Sequence, residues 1–173
     1  MAFVNSPKQE ILLQVKNGFI ALSLAVALLL NLLPLQGIVL MLRPDFVALV
    51  VLYWSINQPQ RVGMSVAFAM GLLMDVGNAS IFGQHALAYS VMAFIALVLH
   101  RRLRIFSLRK QAPQAGLLLL SAQLVILLTG VLAGANFPGW DFFLASVTGA
   151  LLWPLLPAFL RASQRQKPDS NGL

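Results

Sequence analysis

Asp75, Asn78, Ser80, Gln84 and His85 stand within one short stretch of a chain that is otherwise poor in polar residues. A carboxylate, a histidine, a hydroxyl and two amides are the raw material of acid–base, metal or nucleophilic chemistry, so each possibility must be weighed. Acid–base catalysis needs two titratable groups converging on one proton, and no span carries paired carboxylates. A metal site needs several ligands at recognisable spacing, yet His85 has no second histidine or cysteine near it and the chain contains no cysteine. Ser65 and Asp75 fall ten residues apart on one apolar run, too far along a helix to be neighbours. There is no H-E-x-x-H, no G-x-S-x-G and no phosphate-cradling glycine loop. The sequence therefore reads as non-enzymatic, without cofactor or metal. Its polar cluster reads as a hydrogen-bonding or contact site.

Such a cluster must be positioned by the elements on either side. Gly63, Ala67, Gly71 and Asp75 recur every fourth residue, which on a helix makes one inclined ridge that is small along most of its length and ends in a carboxylate. Small residues let a second helix approach closely. Gly77, Asn78, Ala79 and Ser80 then form a tight turn, and Gln84 and His85 open the following apolar run just after Gly83. Residues 61–87 thus predict a helical hairpin, entered at Arg61, with its polar groups gathered at the turn.

Composition sets the surroundings of this hairpin. With 59% hydrophobic and 10% charged residues and a mean hydropathy of +0.82, the chain has too few polar side chains to cover a soluble globule. The apolar runs are continuous rather than alternating, which predicts membrane helices and not a barrel. Six runs are expected, at about 17–33, 38–56, 62–76, 81–99, 115–133 and 142–160, flanked by a polar N-terminal segment 1–16 and a basic tail 161–173. The fold class is thus an all-α polytopic membrane protein with a single membrane domain.

Local signals mark the joints. Arg43-Pro44-Asp45 interrupts the second run, because proline removes a donor and disfavours helix at the residue before it, and Asp45 is placed to favour a new helix start. Tyr53-Trp54 is expected in an interfacial aromatic belt. The basic stretch 100–110 reads as the most polar loop. Trp153-Pro154 predicts a kink with an aromatic plug in the last run. The net charge of +7 does not imply nucleic acid, because all twelve basic residues except Arg43 fall on one side if the N-terminus is cytoplasmic. Both termini are then cytoplasmic. Arg43 is the one basic residue on the far side, at a depth similar to Asp75, so the two are expected to pair or to share a polar cavity with Asp45, Asn78, Gln84 and His85. A charge-swapped double variant is expected to recover part of the loss caused by either single change.

The ordered set Arg43-Pro44-Asp45, Leu52-Tyr53-Trp54, Pro59-x-Arg61-Val62, Gly71-Leu72-Leu73-Met74-Asp75, Gly83-x-x-Ala86-Leu87 and Gly149-x-x-x-Trp153-Pro154 resembles the rod shape-determining protein MreD family. The resemblance implies a component of the bacterial cytoplasmic membrane that works beside the bitopic protein MreC, the actin-like MreB, the glycosyltransferase RodA and its class B penicillin-binding partner. It also implies a fold similar to the substrate-binding subunit of energy-coupling-factor transporters. The expected function is a non-enzymatic membrane scaffold that organises lateral peptidoglycan synthesis. The runner-up is a membrane module that binds a small molecule or lipid intermediate.

Overall fold

A computed structural model describes residues 17–34, 36–37 and 42–162, so the expected segment 1–16, the start of the second run at 38–41 and the tail beyond residue 162 lie outside the described residues. Every described element is helical. In chain order these are α1 (Asn17–Asn31), α2 (Phe46–Asn57), α3 (Met64–Gly77), α4 (Gln84–Ile105) and α5 (Leu108–Leu132). A short 3-10 helix (Trp140–Phe143) then leads into α6 (Leu144–Leu152), and α7 (Leu156–Ala162) follows.

The centre of the bundle is α2. Every residue from Val47 to Ile56 is buried, as suits a helix that is apolar on all sides. This overturns the placement of Tyr53 and Trp54 in an interfacial belt, since they are only 4% and 1% exposed. A buried indole needs an acceptor, and Ser23 of α1 supplies it, with Trp54 Nε1 donating to Ser23 Oγ at 2.9 Å. Edge-to-face contacts from Phe19 and Tyr53 to Trp54, and from Tyr53 to Trp153, close the rest of this aromatic core.

Helices α3 and α4 pack most closely at Gly71. A Cβ added there would lie 2.4 Å from the Cα of Ala86, so only glycine allows these two backbones to touch without displacement. Ala67, Gly71 and Asp75 are all buried on the same face. Gly63 does not belong to this ridge. It precedes the first helical residue of α3, and a Cβ there would meet nothing closer than 3.9 Å.

Two other joints differ from expectation. The basic stretch is helical: Arg101, Arg102 and Arg104 belong to the end of α4 and Lys110 to the start of α5, leaving only Phe106 and Ser107 between them. No glycine or proline stands between Gln84 and Pro113 to stop the first helix early, and Pro113 itself is accommodated in the opening turns of α5. The last run is broken rather than merely kinked. Helix α6 ends at Leu152, with the Trp153 N–H bonded to the Gly149 carbonyl, and α7 begins two residues after Pro154, whose ring removes the donor that a continuous helix would need.

Hydrogen bonds between elements show which ends meet. At one end Arg61 Nη1 donates to Asn17 Oδ1 at 2.8 Å and Arg104 donates to the Asn57 carbonyl, joining the start of α1, the end of α2, the approach to α3 and the end of α4. At the other end Asn31, Asp45, Met74 and Tyr89 meet. Consecutive helices α1 to α4 therefore run antiparallel. Helices Gln84–Ile105 and Lys110–Leu132 are long and apolar enough to cross a membrane, while Asn17–Asn31, Phe46–Asn57, Met64–Gly77 and Trp140–Leu152 are shorter and apolar. Large apolar side chains such as Leu22, Phe68, Phe94, Leu117, Leu128 and Leu151 point outward around the bundle.

Candidate functional site

At the end of the bundle where α1 finishes and α2 begins, the carboxylates of Asp45 and Asp75 each serve a helix start. Asp45 caps its own helix: its Oδ1 accepts from Ala48 N at 3.0 Å, the arrangement expected of an aspartate just ahead of a first helical turn. The same oxygen accepts from Asn31 Nδ2 at 2.8 Å, and Asn31 Oδ1 in turn accepts from the Phe46 N–H at 3.0 Å. Oδ2 accepts from the Tyr89 hydroxyl at 2.5 Å. One carboxylate thereby fastens the end of α1, the start of α2 and the first turns of α4 together.

Asp75 caps a helix to which it does not belong. Standing in the last turn of α3, it accepts from Gly83 N at 2.9 Å, His85 N at 2.9 Å and Ala86 N at 3.4 Å, the orphan donors that open α4. Gly83 makes this approach possible, because its φ of 94° suits glycine and turns its N–H toward the carboxylate. Ser80 Oγ donates to Asp75 Oδ1 at 3.0 Å, and His85 Nδ1 stands 2.8 Å from the same oxygen. A carboxylate only accepts, so in that contact Nδ1 carries the proton. The Asp75 side chain is fully buried, and that of His85 is 15% exposed. His85 also meets the ring of Tyr89 edge-on, 5.9 Å between centroids, which links the two carboxylate networks along one face of α4.

The direct pairing of Arg43 with Asp75 is not what the structure holds. Among the described residues the ion pair of Asp75 is with His85, and Arg43 Nη1 donates to the Leu33 carbonyl at 3.1 Å. The physical reason is that the start of α4 supplies Asp75 with N–H donors and the positive end of a helix dipole, which a remote guanidinium need not replace.

A cavity of about 380 Å³ lies over these networks and brings Arg43, Pro44, Asp45, Asn78 and His85 together with Asn31, Gln123 and Asp141. Gln84 faces away from it: its Nε2 donates to the Ile126 carbonyl at 2.7 Å, tying α4 to α5, and it lines a smaller neighbouring cavity of about 200 Å³. The other singled-out residues lie elsewhere. Arg61 and Gly63 are at the opposite end, Ala67 and Gly71 are in the α3–α4 contact, and Trp153 is buried, with Nε1 3.4 Å from Gln111 Oε1, just before Pro154. Among the described residues no three His, Cys, Asp or Glu side chains converge as a metal site.

Sequence reasoning overlooked Asn31, Tyr89 and Gln123. Each carried a signal: Asn31 is a polar residue at the end of an apolar run, Tyr89 lies one helical turn beyond His85, and Gln123 is an amide deep inside an apolar stretch. Gln123 earns its place by donating to the Phe142 carbonyl at 2.8 Å and accepting from Ser146, which fixes α6 against α5.

No solved structure matches this chain. The chain is 30% identical over 141 residues to the rod shape-determining protein MreD of Haemophilus influenzae, an alignment covering 82% of this chain and 87% of that protein. The family model described as rod shape-determining protein MreD matches residues 14–163, a stretch that holds both carboxylate caps and the whole described bundle, and the chain belongs to the MreD family.

Proposed function

We propose that this protein is a non-enzymatic scaffold of the bacterial inner membrane that takes part in rod-shape determination by organising the machinery of lateral peptidoglycan synthesis. The family match along residues 14–163 is the observation that carries this reading. In this reading the membrane is crossed six times, by α1 to α5 and by α6 with α7, with both termini in the cytoplasm. The outward-facing apolar side chains support it, since lipid is the environment they suit. The shortness of α2 is compatible with it as well, because a helix buried on every side is shielded from lipid by its neighbours. The basic ends of α4 and α5 then meet the cytoplasmic leaflet, where anionic lipid favours them.

The partners follow from the family: an MreC-like bitopic protein in direct contact, with MreB, RodA and a class B penicillin-binding protein in the same complex, and membrane lipid but no nucleic acid. The likeness to an energy-coupling-factor subunit takes no support from solved structures, so the reading rests on the family. Depletion should turn rods into rounded, wide cells, and a pull-down from membranes should retain the MreC-like partner. A reporter active only outside the cytoplasm, fused after Leu173, should stay silent. Rod shape retained after full depletion would overturn the role, and an active reporter would overturn the six-crossing arrangement.

A further inference from the structure

The groups that line the cavity of about 380 Å³ differ in how far they are already engaged. Asp45 accepts three hydrogen bonds, Asn31 uses both ends of its amide, and Gln123 is held by Phe142 and Ser146. Those side chains build the wall. Arg43 is different: its guanidinium has five N–H donors, and among the described residues one of them is engaged, by the Leu33 carbonyl. The Asp141 carboxylate and the Asn78 amide line the same cavity and have no hydrogen-bond partner among the described residues. Although Arg43 and Asp141 share this cavity, no ion pair joins them.

The charges decide what kind of group fits. A simple anion would meet one guanidinium but two carboxylates, Asp45 and Asp141, whereas a simple cation could match a carboxylate but would leave the Arg43 guanidinium without a counter-charge. A group carrying both signs can set its acid oxygens against Arg43 and its ammonium against Asp141, so that each half is matched. Met74, Ile126 and Phe142 give the cavity an apolar side for the body of such a molecule, and its volume lies in the range of small-molecule sites. We propose that the cavity between Arg43 and Asp141 is a binding site for a small zwitterion, an acid group and a primary ammonium joined by a short linker. A phosphoethanolamine lipid headgroup and a free molecule of the same chemistry both present it. The site does not rest on the scaffold reading, since a scaffold and a non-scaffold could equally carry it.

The test uses the full chain, purified in mild detergent and in nanodiscs, with three probes: phosphatidylethanolamine, phosphatidylglycerol of the same acyl chains, and soluble glycerophosphoethanolamine. Binding is read from native mass spectrometry and from the rise in melting temperature on titration. Phosphatidylethanolamine, glycerophosphoethanolamine or both should bind, and phosphatidylglycerol should bind clearly less well. Arg43→Gln and Asp141→Asn should each weaken the zwitterion by about tenfold, the effect of losing one charge-assisted contact, while Asp141→Asn leaves phosphatidylglycerol unchanged or improves it. Binding of the lipid alone would assign the headgroup source, and binding of the soluble probe would show that the headgroup suffices. Should Arg43→Gln fail to accumulate, Asp141→Asn decides, because Asp141 is exposed and its side chain makes no hydrogen bond among the described residues. The proposal is overturned if neither zwitterion binds, if phosphatidylglycerol binds as well as phosphatidylethanolamine, or if the variants that fold bind as the unaltered chain does.

Discussion

Asp45 and Asp75 both accept backbone N–H groups at the start of a helix, but they reach those helices by different routes. Asp45 stands directly ahead of α2 and caps it locally, with Ala48 as its backbone donor. Asp75 stands at the end of α3 and caps α4 across a turn, taking three backbone donors, a hydroxyl and an imidazole. Asp45 is half-buried and Asp75 is fully buried. The contrast teaches that a buried carboxylate in an apolar bundle need not be neutralised by a cation from elsewhere. The open end of a helix can hold it, and in return the carboxylate fixes the angle and register at which the next helix departs.

The sharpest way to break this comparison is Asp75→Ala. It leaves the Gly83 and His85 N–H groups without their acceptor in a buried corner and removes the partner of the His85 ring, so a loss of about 3–5 kcal/mol is expected. The measurement is the melting temperature of the purified protein in mild detergent, with accumulation in membranes as a second reading. Asp75→Asn should recover only part of the loss, because an amide turns a donor toward donors. A melting temperature within a degree or two of the unaltered chain would mean that α4 does not depend on its borrowed cap.

Asp45→Ala should cost less, about 2–3 kcal/mol, since a local cap is worth about 1 kcal/mol and the remainder comes from stranding Tyr89 and Asn31. Tyr89→Phe separates the two contributions. If the Asp45 carboxylate serves chiefly as a cap, losing the hydroxyl should cost about 1 kcal/mol and no more. An Asp45→Ala variant less stable than Asp75→Ala would reverse the ranking and make the tie between α1, α2 and α4 the stronger of the two.

How much of this was legible depended on how far along the chain each partner lay. The Asp45 cap could be read because proline and aspartate directly before an apolar run are adjacent signals for a helix start. The α3–α4 contact could be read from Ala67, Gly71 and Asp75 at helical spacing, although Gly63 fits the same spacing and does not take part. Ser80 and His85, the side-chain partners of Asp75, stand in the polar stretch that the sequence groups with it, but its backbone partners could not be read, because backbone N–H groups have no letter in a sequence, and the search for a charge to balance it led to Arg43. The burial of Tyr53 and Trp54 was hidden for a similar reason. An aromatic pair at the end of an apolar run suits an interface and an interior equally, and Ser23, which settles the matter, stands 31 residues away from Trp54.

The smallest effect is expected at Arg43, and it tests the comparison from the other side. Among the described residues its side chain makes a single hydrogen bond, to the Leu33 carbonyl at 3.1 Å, from a half-buried position, so Arg43→Ala should cost less than about 1 kcal/mol. If Asp75 needed a basic partner, that change would instead approach Asp75→Ala in severity. The charge-swapped pair, Arg43→Asp with Asp75→Arg, sharpens the point. An arginine at position 75 would direct its donors at the N–H groups that open α4, and an aspartate at position 43 could not relieve that clash. The double variant should therefore be no more stable than Asp75→Arg alone. A clear recovery in the double would show that Arg43 and Asp75 do sense each other's charge, and the helix start would then be only one of two supports for the buried carboxylate.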